Sequence, residues 1–305
     1  MKIGKVFLAR KKSRTTELRH HQRGRRFSIL CLTPSLAGVL LFFVAPFFVV
    51  IYYSMIDNPI NHELVFFENF VSVTANPAFK QAASNTLKFS GVAVPLAVVL
   101  ALMLALLLNS RIPFRSQFRT FFLSPMMVPI ASIVLIWQVL FHYNGIVNEL
   151  MILLDVGKVD WFKSAYAQVV VIVLFLWKNL GYNMILFMAA LSSIPKEILE
   201  VAVMESARPL QIFWHIKLRY LSATILFVTI MSLINSFKVF REIYLLTGDY
   251  PYDTVYMLQH YMNNMFARLD YQKLSAAAII MALVMVLIIG VMFVTENYFG
   301  RDVEG

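Results

Sequence analysis

The polar side chains with the greatest chemical capacity in this sequence stand inside apolar runs. Lys178, Gly181, Tyr182, Asn183 and Met184, with Asn179 among them, occupy one run; Ser232, Asn235, Ser236 and Val239 occupy the end of another. Amides, hydroxyls and an aromatic ring suit a polyhydroxylated molecule, which offers many donors and acceptors and a few C–H faces. The same groups can hydrogen-bond one membrane helix to another. Spacing alone leaves both uses open. Lys178 is sharper, because a cation inside a membrane requires a partner or a water-filled cavity. It either favours an anionic solute or extends outward to the headgroups.

Bond-breaking chemistry has no comparable support. The sequence contains neither a GxxxxGK[ST] phosphate loop nor a GxGxxG turn, so ATP hydrolysis by that route is not open to it. Of its six histidines only His20 and His21 are neighbours, and neither HExxH nor GxSxG occurs. No two acids share an apolar run as glycosidase carboxylates or a proton relay would. The expectation is a chain that is not an enzyme, with no catalytic residues, no metal site and no cofactor of its own.

The elements that position these residues follow from composition. Of 305 residues, 59% are apolar and 14% charged, against about 25% charged in a soluble globular protein. Six runs reach the ~20 residues needed to cross about 30 Å of hydrocarbon: 29–53, 87–109, 119–142, 166–190, 218–238 and 274–296. Pro34, Pro46, Pro95, Pro125 and Pro129 fall within them, which membrane helices tolerate where neighbours satisfy the freed carbonyls. The runs do not alternate as barrel strands would. The expected fold class is an all-α integral membrane protein with six transmembrane helices. The first run is too long for a signal-peptide core and no small-residue cleavage site follows it. Cys31 is the single cysteine and cannot form an internal disulfide.

Net charge is +10, but residues 1–26 hold ten Lys/Arg and one acid, so the remainder carries only +1. That tail suits anionic headgroups, each cation contributing about 1 kcal/mol near the surface, and no nucleic-acid partner is expected. With the tail placed in the cytoplasm, the inner side carries eighteen Lys/Arg, while the outer loops carry seven against ten acids. This asymmetry puts both termini inside. The organisation expected is a basic tail (1–27), a first helix and outer loop (28–85), a core (86–297) and a closing tail (298–305).

The cytoplasmic loop 191–219 holds a further pattern. Pro195 suits a first helical turn, Ser193 is a candidate N-cap, and Glu197 favours the positive helix end. Ile198, Leu199, Ala202 and Val203 form an apolar stripe on a helix of two to three turns, which Ser206 and Pro209 break. Such a helix either lies on the headgroups or docks in a groove of a partner.

These residues resemble the transmembrane subunits of binding-protein-dependent ABC importers, particularly the carbohydrate-uptake branch. The family loop reads roughly IP-x-E-L-x-E-A-A-x-x-D-G-A. This chain offers Ile194-Pro195, Glu197-Ile198, Glu200-Val201-Ala202 and Glu205-Ser206-Ala207. Val201 replaces an Ala, Ser206 the Gly, and Arg219 a later Pro. The Gly permits a left-handed turn, which Ser adopts at a cost of about 1 kcal/mol, so the same loop shape is expected with an altered turn. The resemblance extends through Phe67-Glu68-Asn69-Phe70, Asn76-Pro77, Asn85-Thr86, Arg119, Pro125, Pro129, Trp137, Gly145 and Asn148. It continues through Trp177, Gly181-Tyr182, Tyr244 to Gly248, and Ser275-Ala276-Ala277.

The resemblance implies a type I importer fold and a multi-pass permease of a bacterial-type cytoplasmic membrane. It implies assembly with a second permease subunit, two ATPase subunits carrying ATP and Mg, and an extracytoplasmic solute-binding protein, with the permease itself seated in the lipid bilayer. Glu200, Val201, Ala202, Glu205, Ser206 and Ala207 would couple to the ATPase. The region from Gly181 to Met184 and from Ser232 to Val239, with Lys178, would line the path of a sugar or oligosaccharide. The alternatives are a non-sugar solute, such as a polyamine or glycerol phosphate, and a facilitator needing no ATPase. Tyr244, Tyr250, Tyr252, Tyr256, Tyr261 and Tyr271 would face either the solute-binding protein or the interfacial belt.

Overall fold

The computed structural model describes residues 32–110 and 112–300, with side chains to residue 296. The basic tail, Cys31, Arg111 and residues 301–305 lie outside the described residues. The described chain is helical, and its one β feature is an isolated antiparallel bridge between Ile56 and Leu64.

Helix α1 (Leu32–Ser54) contains a π turn at Leu40–Val44. The Ala45 N–H closes that turn on the Leu40 carbonyl, and Pro46 after it lacks an N–H, so the ladder widens next to a missing donor. Helix α2 (Glu68–Ala75) is tied back to α1 by Asn69, whose amide donates to the Ser54 and Ile56 carbonyls at 3.0 and 2.8 Å. Helix α3 (Pro77–Asn109) starts ten residues before the apolar run predicts. The side chain of Asn76 caps it by accepting from the Ala78 N–H at 2.9 Å, and Pro77 pre-sets the first turn. At 33 residues it is about 50 Å long and overshoots a hydrocarbon core of about 30 Å.

The third predicted span is not one straight helix. Helices α4 (Arg115–Met127) and α5 (Ile130–Leu140) meet at 102°. Pro129 supplies no donor and pushes Val128 out of the helical region, to φ −87°, ψ 132°. Helix α6 (Ile146–Leu153) follows a tight corner at Gly145, where a Cβ would stand 2.4 Å from the Val139 carbonyl oxygen. Asn148, fully buried, holds the return loop: it accepts from the Val159 N–H and Trp161 Nε1–H and donates to the Tyr143 and Val159 carbonyls.

Helix α7 (Ala167–Ser192) leads to α8 (Lys196–Met204) and then to α9 (209–220), which has a π turn at Phe213–Lys217. Helices α10 (Ser222–Phe237) and α11 (Phe240–Thr247) form one apolar stretch, Ser222–Thr247. The sequence reading ends this span at 238 because Lys238, Arg241 and Glu242 look like loop charges. The helical stretch instead runs past them to Thr247, with a turn at residues 238–239. A 3-10 turn (Asp253–Val255), α12 (Leu258–Ala267) and α13 (Tyr271–Gly300) complete the chain. Five described helices are long and apolar enough to cross a membrane, and the bent α4–α5 pair makes a sixth passage if it counts as one span.

Helices α3 and α7 form the central pair. Ala93, Ala97, Ala101 and Ala105 recur every fourth residue along α3 and are all fully buried. Small side chains at that spacing let two backbones approach where no hydrophobic effect drives helices together. Phe89 meets Phe175 edge-to-face at 5.6 Å above them, and Met184, Phe187 and Leu191 fill the space below. Helix α1 lies against α13 and otherwise exposes apolar side chains such as Leu41 and Phe43.

The end of the bundle that holds the start of α3 is tied by polar contacts. The Thr86 hydroxyl accepts from the Leu258 N–H at 2.9 Å, and the Asn85 amide donates to the Tyr256 carbonyl at 3.1 Å. His260 sits in this layer, 1% exposed, with Nδ1 accepting from the Met257 N–H and its ring edge-on to Phe240 at 4.6 Å. Burial pushes its pKa down to about 4, against a smaller opposing pull from Asp249. Between pH 6.5 and about 4 the unfolded chain therefore binds a proton that the native chain does not. Stability is expected to fall across that window by about 3 kcal/mol. Thermal unfolding in detergent from pH 7 to 4 checks this, and His260→Gln should flatten the profile.

Candidate translocation cleft and coupling loop

The polar run of α7 faces α10, α11 and the break between α4 and α5. Together they enclose a cleft of about 530 Å³ lined by Lys178, Asn179, Tyr182, Asn235, Val239 and Glu242, among others. Residues 174, 175, 178, 179 and 182 share one face of α7 through their three- and four-residue spacing. The intervening positions turn away. Asn183 donates to the Ser232 hydroxyl at 2.9 Å, and Ser236 bonds Ser90 of α3 at 2.8 Å. Asn183, Met184, Ser232 and Ser236, expected along the path, are thus placed between helices, each no more than 2% exposed. Gly181 also acts through packing: a Cβ there would stand 1.9 Å from the Phe122 carbonyl oxygen of α4. Lys178, Tyr182, Asn235 and Val239 remain as cleft residues.

Lys178 neither reaches outward nor stands free. Its ammonium pairs with Glu242 of α11, whose side chain is 6% exposed. Beside the pair, Asn235 donates to Asn179 at 3.0 Å across α10 and α7. Sequence reasoning missed Glu242 and assigned it to an outer loop. The available signal was Lys178 itself, since an intramembrane cation demands a counter-charge. A wider opening of about 750 Å³ lies elsewhere, between α9–α10 and the far end of α13, bordered by Trp214 and Met292.

The loop helix α8 forms at the predicted place. Its N-cap is Pro195, not Ser193; the Ser193 hydroxyl donates backwards to the Ala190 carbonyl at 2.8 Å and closes α7. At the other end Ser206 takes φ +60°. The Ala207 N–H reaches the Ala202 carbonyl and the Ser206 N–H the Val203 carbonyl, both at 3.0 Å. This bond pair is a Schellman turn with Ser in the position usually held by Gly. Ile194 is buried in the chain's own core with Leu199 half-buried against it, and Ala202 is 8% exposed. Glu200, Val201, Glu205 and Ser206 face out and Ala207 is half-buried. Val203 and Met204 join the outward set, 64% and 83% exposed, and give α8 an apolar tip.

The tyrosines of residues 244–271 divide. Tyr261 is buried, Tyr256 and Tyr271 are half-buried, and Tyr244, Tyr250 and Tyr252 are exposed.

Comparison with known proteins agrees with this architecture. Residues 94–305 match the family described as binding-protein-dependent transport system inner membrane component. The chain is 28% identical to the sulfoquinovosyl glycerol transport system permease protein SmoG of Agrobacterium fabrum, over 84% of this chain and 86% of that one. It is 27% identical to the trehalose/maltose transport system permease protein MalF of Thermococcus litoralis, covering 94% and 98%. It is also 27% identical to the sn-glycerol-3-phosphate transport system permease protein UgpA of Yersinia enterocolitica, covering 90% and 94%. Among solved structures, a chain of a bacterial ABC transporter involved in alginate import superposes with a TM-score of 0.79 at 21% identity, covering 95% of this chain and all of that one. This last likeness bears on the fold.

Two outcomes follow from the geometry. Lys178→Met leaves the buried Glu242 carboxylate unmatched and should cost about 3 kcal/mol, most of it recovered when Glu242→Leu is added. A double-mutant cycle of detergent unfolding checks this; additive losses would show the pair uncoupled. Ser206→Gly should raise stability by about 1 kcal/mol by relieving the left-handed Ser, read as a higher unfolding temperature.

Proposed function

The chain belongs to the family of binding-protein-dependent transport system inner membrane components, and on that premise we propose that it is half of the pathway of an ATP-driven importer for a saccharide. It is a multi-pass membrane protein. Its partners in this reading are a second permease, two ATPase subunits that carry the ATP and Mg, and an extracytoplasmic binding protein that delivers the solute. Both termini lie in the cytoplasm, as the Lys/Arg asymmetry favours.

The observation that carries the reading is the apolar tip of α8. Val203 and Met204 stand clear of the chain's own core, while Ile194 and Leu199 hold the base of the helix to it. A helix held firmly at its base with a greasy tip suits insertion into a groove of another protein. Closure of two ATPase subunits would then shift the permease pair between inward- and outward-open states through that lever. Glu200, Val201, Glu205 and Ser206 border the tip, and Ala207 closes the turn behind it.

A saccharide is supported by the lining of the cleft and by the company the chain keeps. Tyr182 supplies an aromatic face and Asn179 and Asn235 supply amides, the mixture that binds hydroxyl-rich solutes. The named relatives include permeases for sulfoquinovosyl glycerol and for trehalose/maltose.

The test is reconstitution of the complete importer in proteoliposomes. Met204→Glu should abolish ATP-dependent uptake while leaving the unfolding temperature within about 1 °C, since an exposed substitution costs under ~0.5 kcal/mol. A Met204→Cys variant should cross-link to the ATPase. Uptake by the isolated chain without ATP would instead establish a facilitator.

A further inference from the structure

We propose that the transported saccharide carries an anionic group, read by Lys238 and Arg241. This rests on the saccharide reading and deepens it.

The cleft is lined by three cations, Lys178, Lys238 and Arg241, and one carboxylate, Glu242. Lys178 and Glu242 neutralise one another. Lys238 and Arg241 stand three residues apart, both exposed, and neither makes a side-chain ion pair among the described residues. They belong to a 26-residue apolar helical stretch, Ser222–Thr247. Two like charges one turn apart on the wall of a cleft repel each other and must face water, an opposite charge or both. An arriving carboxylate, sulfonate or phosphate supplies that charge, and arginine binds such groups through two parallel N–H bonds.

A second observation points to the same ligand. One oxygen of Glu242 is buried without any hydrogen-bond partner, although the residue lines the cleft. An unsatisfied carboxylate oxygen needs a donor, and a sugar hydroxyl is one. Asn179 and Asn235 bond each other beside it. The cleft therefore asks for hydroxyl donors at Glu242 and an anion at Lys238 and Arg241. Free inorganic anions satisfy only the second demand, and neutral sugars only the first.

The experiment uses the complete importer in proteoliposomes with its binding protein. The probes are neutral oligosaccharides, their uronate, sulfonate and phosphate counterparts, and free amino acids. The expected result is uptake of an acidic saccharide in preference to its neutral counterpart. At saturating loaded binding protein, Lys238→Gln with Arg241→Gln should lower that uptake roughly ten-fold. The charge-conserving pair Lys238→Arg with Arg241→Lys should retain it, which separates loss of charge from misfolding. Preference for a neutral saccharide would overturn the proposal and leave the saccharide importer standing. So would acidic-saccharide uptake that survives both glutamines, the outcome expected if acids of the second permease neutralise the two cations. Uptake of amino acids alone would overturn the saccharide reading itself.

Discussion

A charge that enters hydrocarbon has to be matched where it stands, and the pairing of Lys178 with Glu242 is where this chain meets that demand. The two residues are 64 positions apart, on helices that the pair brings together around the cleft. Isolated in a low-dielectric medium, either ion would cost several kcal/mol. Placed together, they fix how α11 leans on α7 and leave the remaining cations facing the space between. The polar ties around them, Asn179 with Asn235 and Asn183 with Ser232, hold α7 and α10 in one register.

The rest of the bundle is arranged so that these ties can be close. The alanine row of α3 lets α7 approach, and Gly181 lets α4 approach α7 from another side. The break at Val128-Pro129 turns α5 away and opens one wall of the cleft. Each of these devices removes bulk or a donor at one point, and lipid offers no hydrophobic drive that could do the same work. At the far end of α7, α8 is anchored through Ile194 and Leu199 to the same core that holds Phe187 and Leu191.

Much of this was readable in the residues. The apolar runs, the prolines and the distribution of Lys and Arg required a helical membrane protein, because runs of that length fit nothing else of comparable economy. The loop helix was readable from Pro195, its apolar stripe and Ser206, since local turn chemistry is a property of a few neighbouring residues. The left-handed Ser206 follows from the position it occupies. Proline positions marked where helices were strained without saying which one would break: Pro95 remains inside α3, whereas Pro129 ends α4.

What the chain alone could not specify was which face of each helix meets which neighbour. Charge counting treated Glu242 as a loop acid, because a window of hydropathy ends at the first cluster of charges. Only packing shows that the helix continues and that Lys178 waits for it. The same limit kept Asn183 and Ser236 indistinguishable from Asn179 and Asn235, although one set lies between helices and the other borders the cleft. Hydropathy and turn chemistry are local and additive along the chain. The pairing of charges, amides and hydroxyls across 49 to 146 residues depends on the relative rotation of helices, which exists only once they are packed.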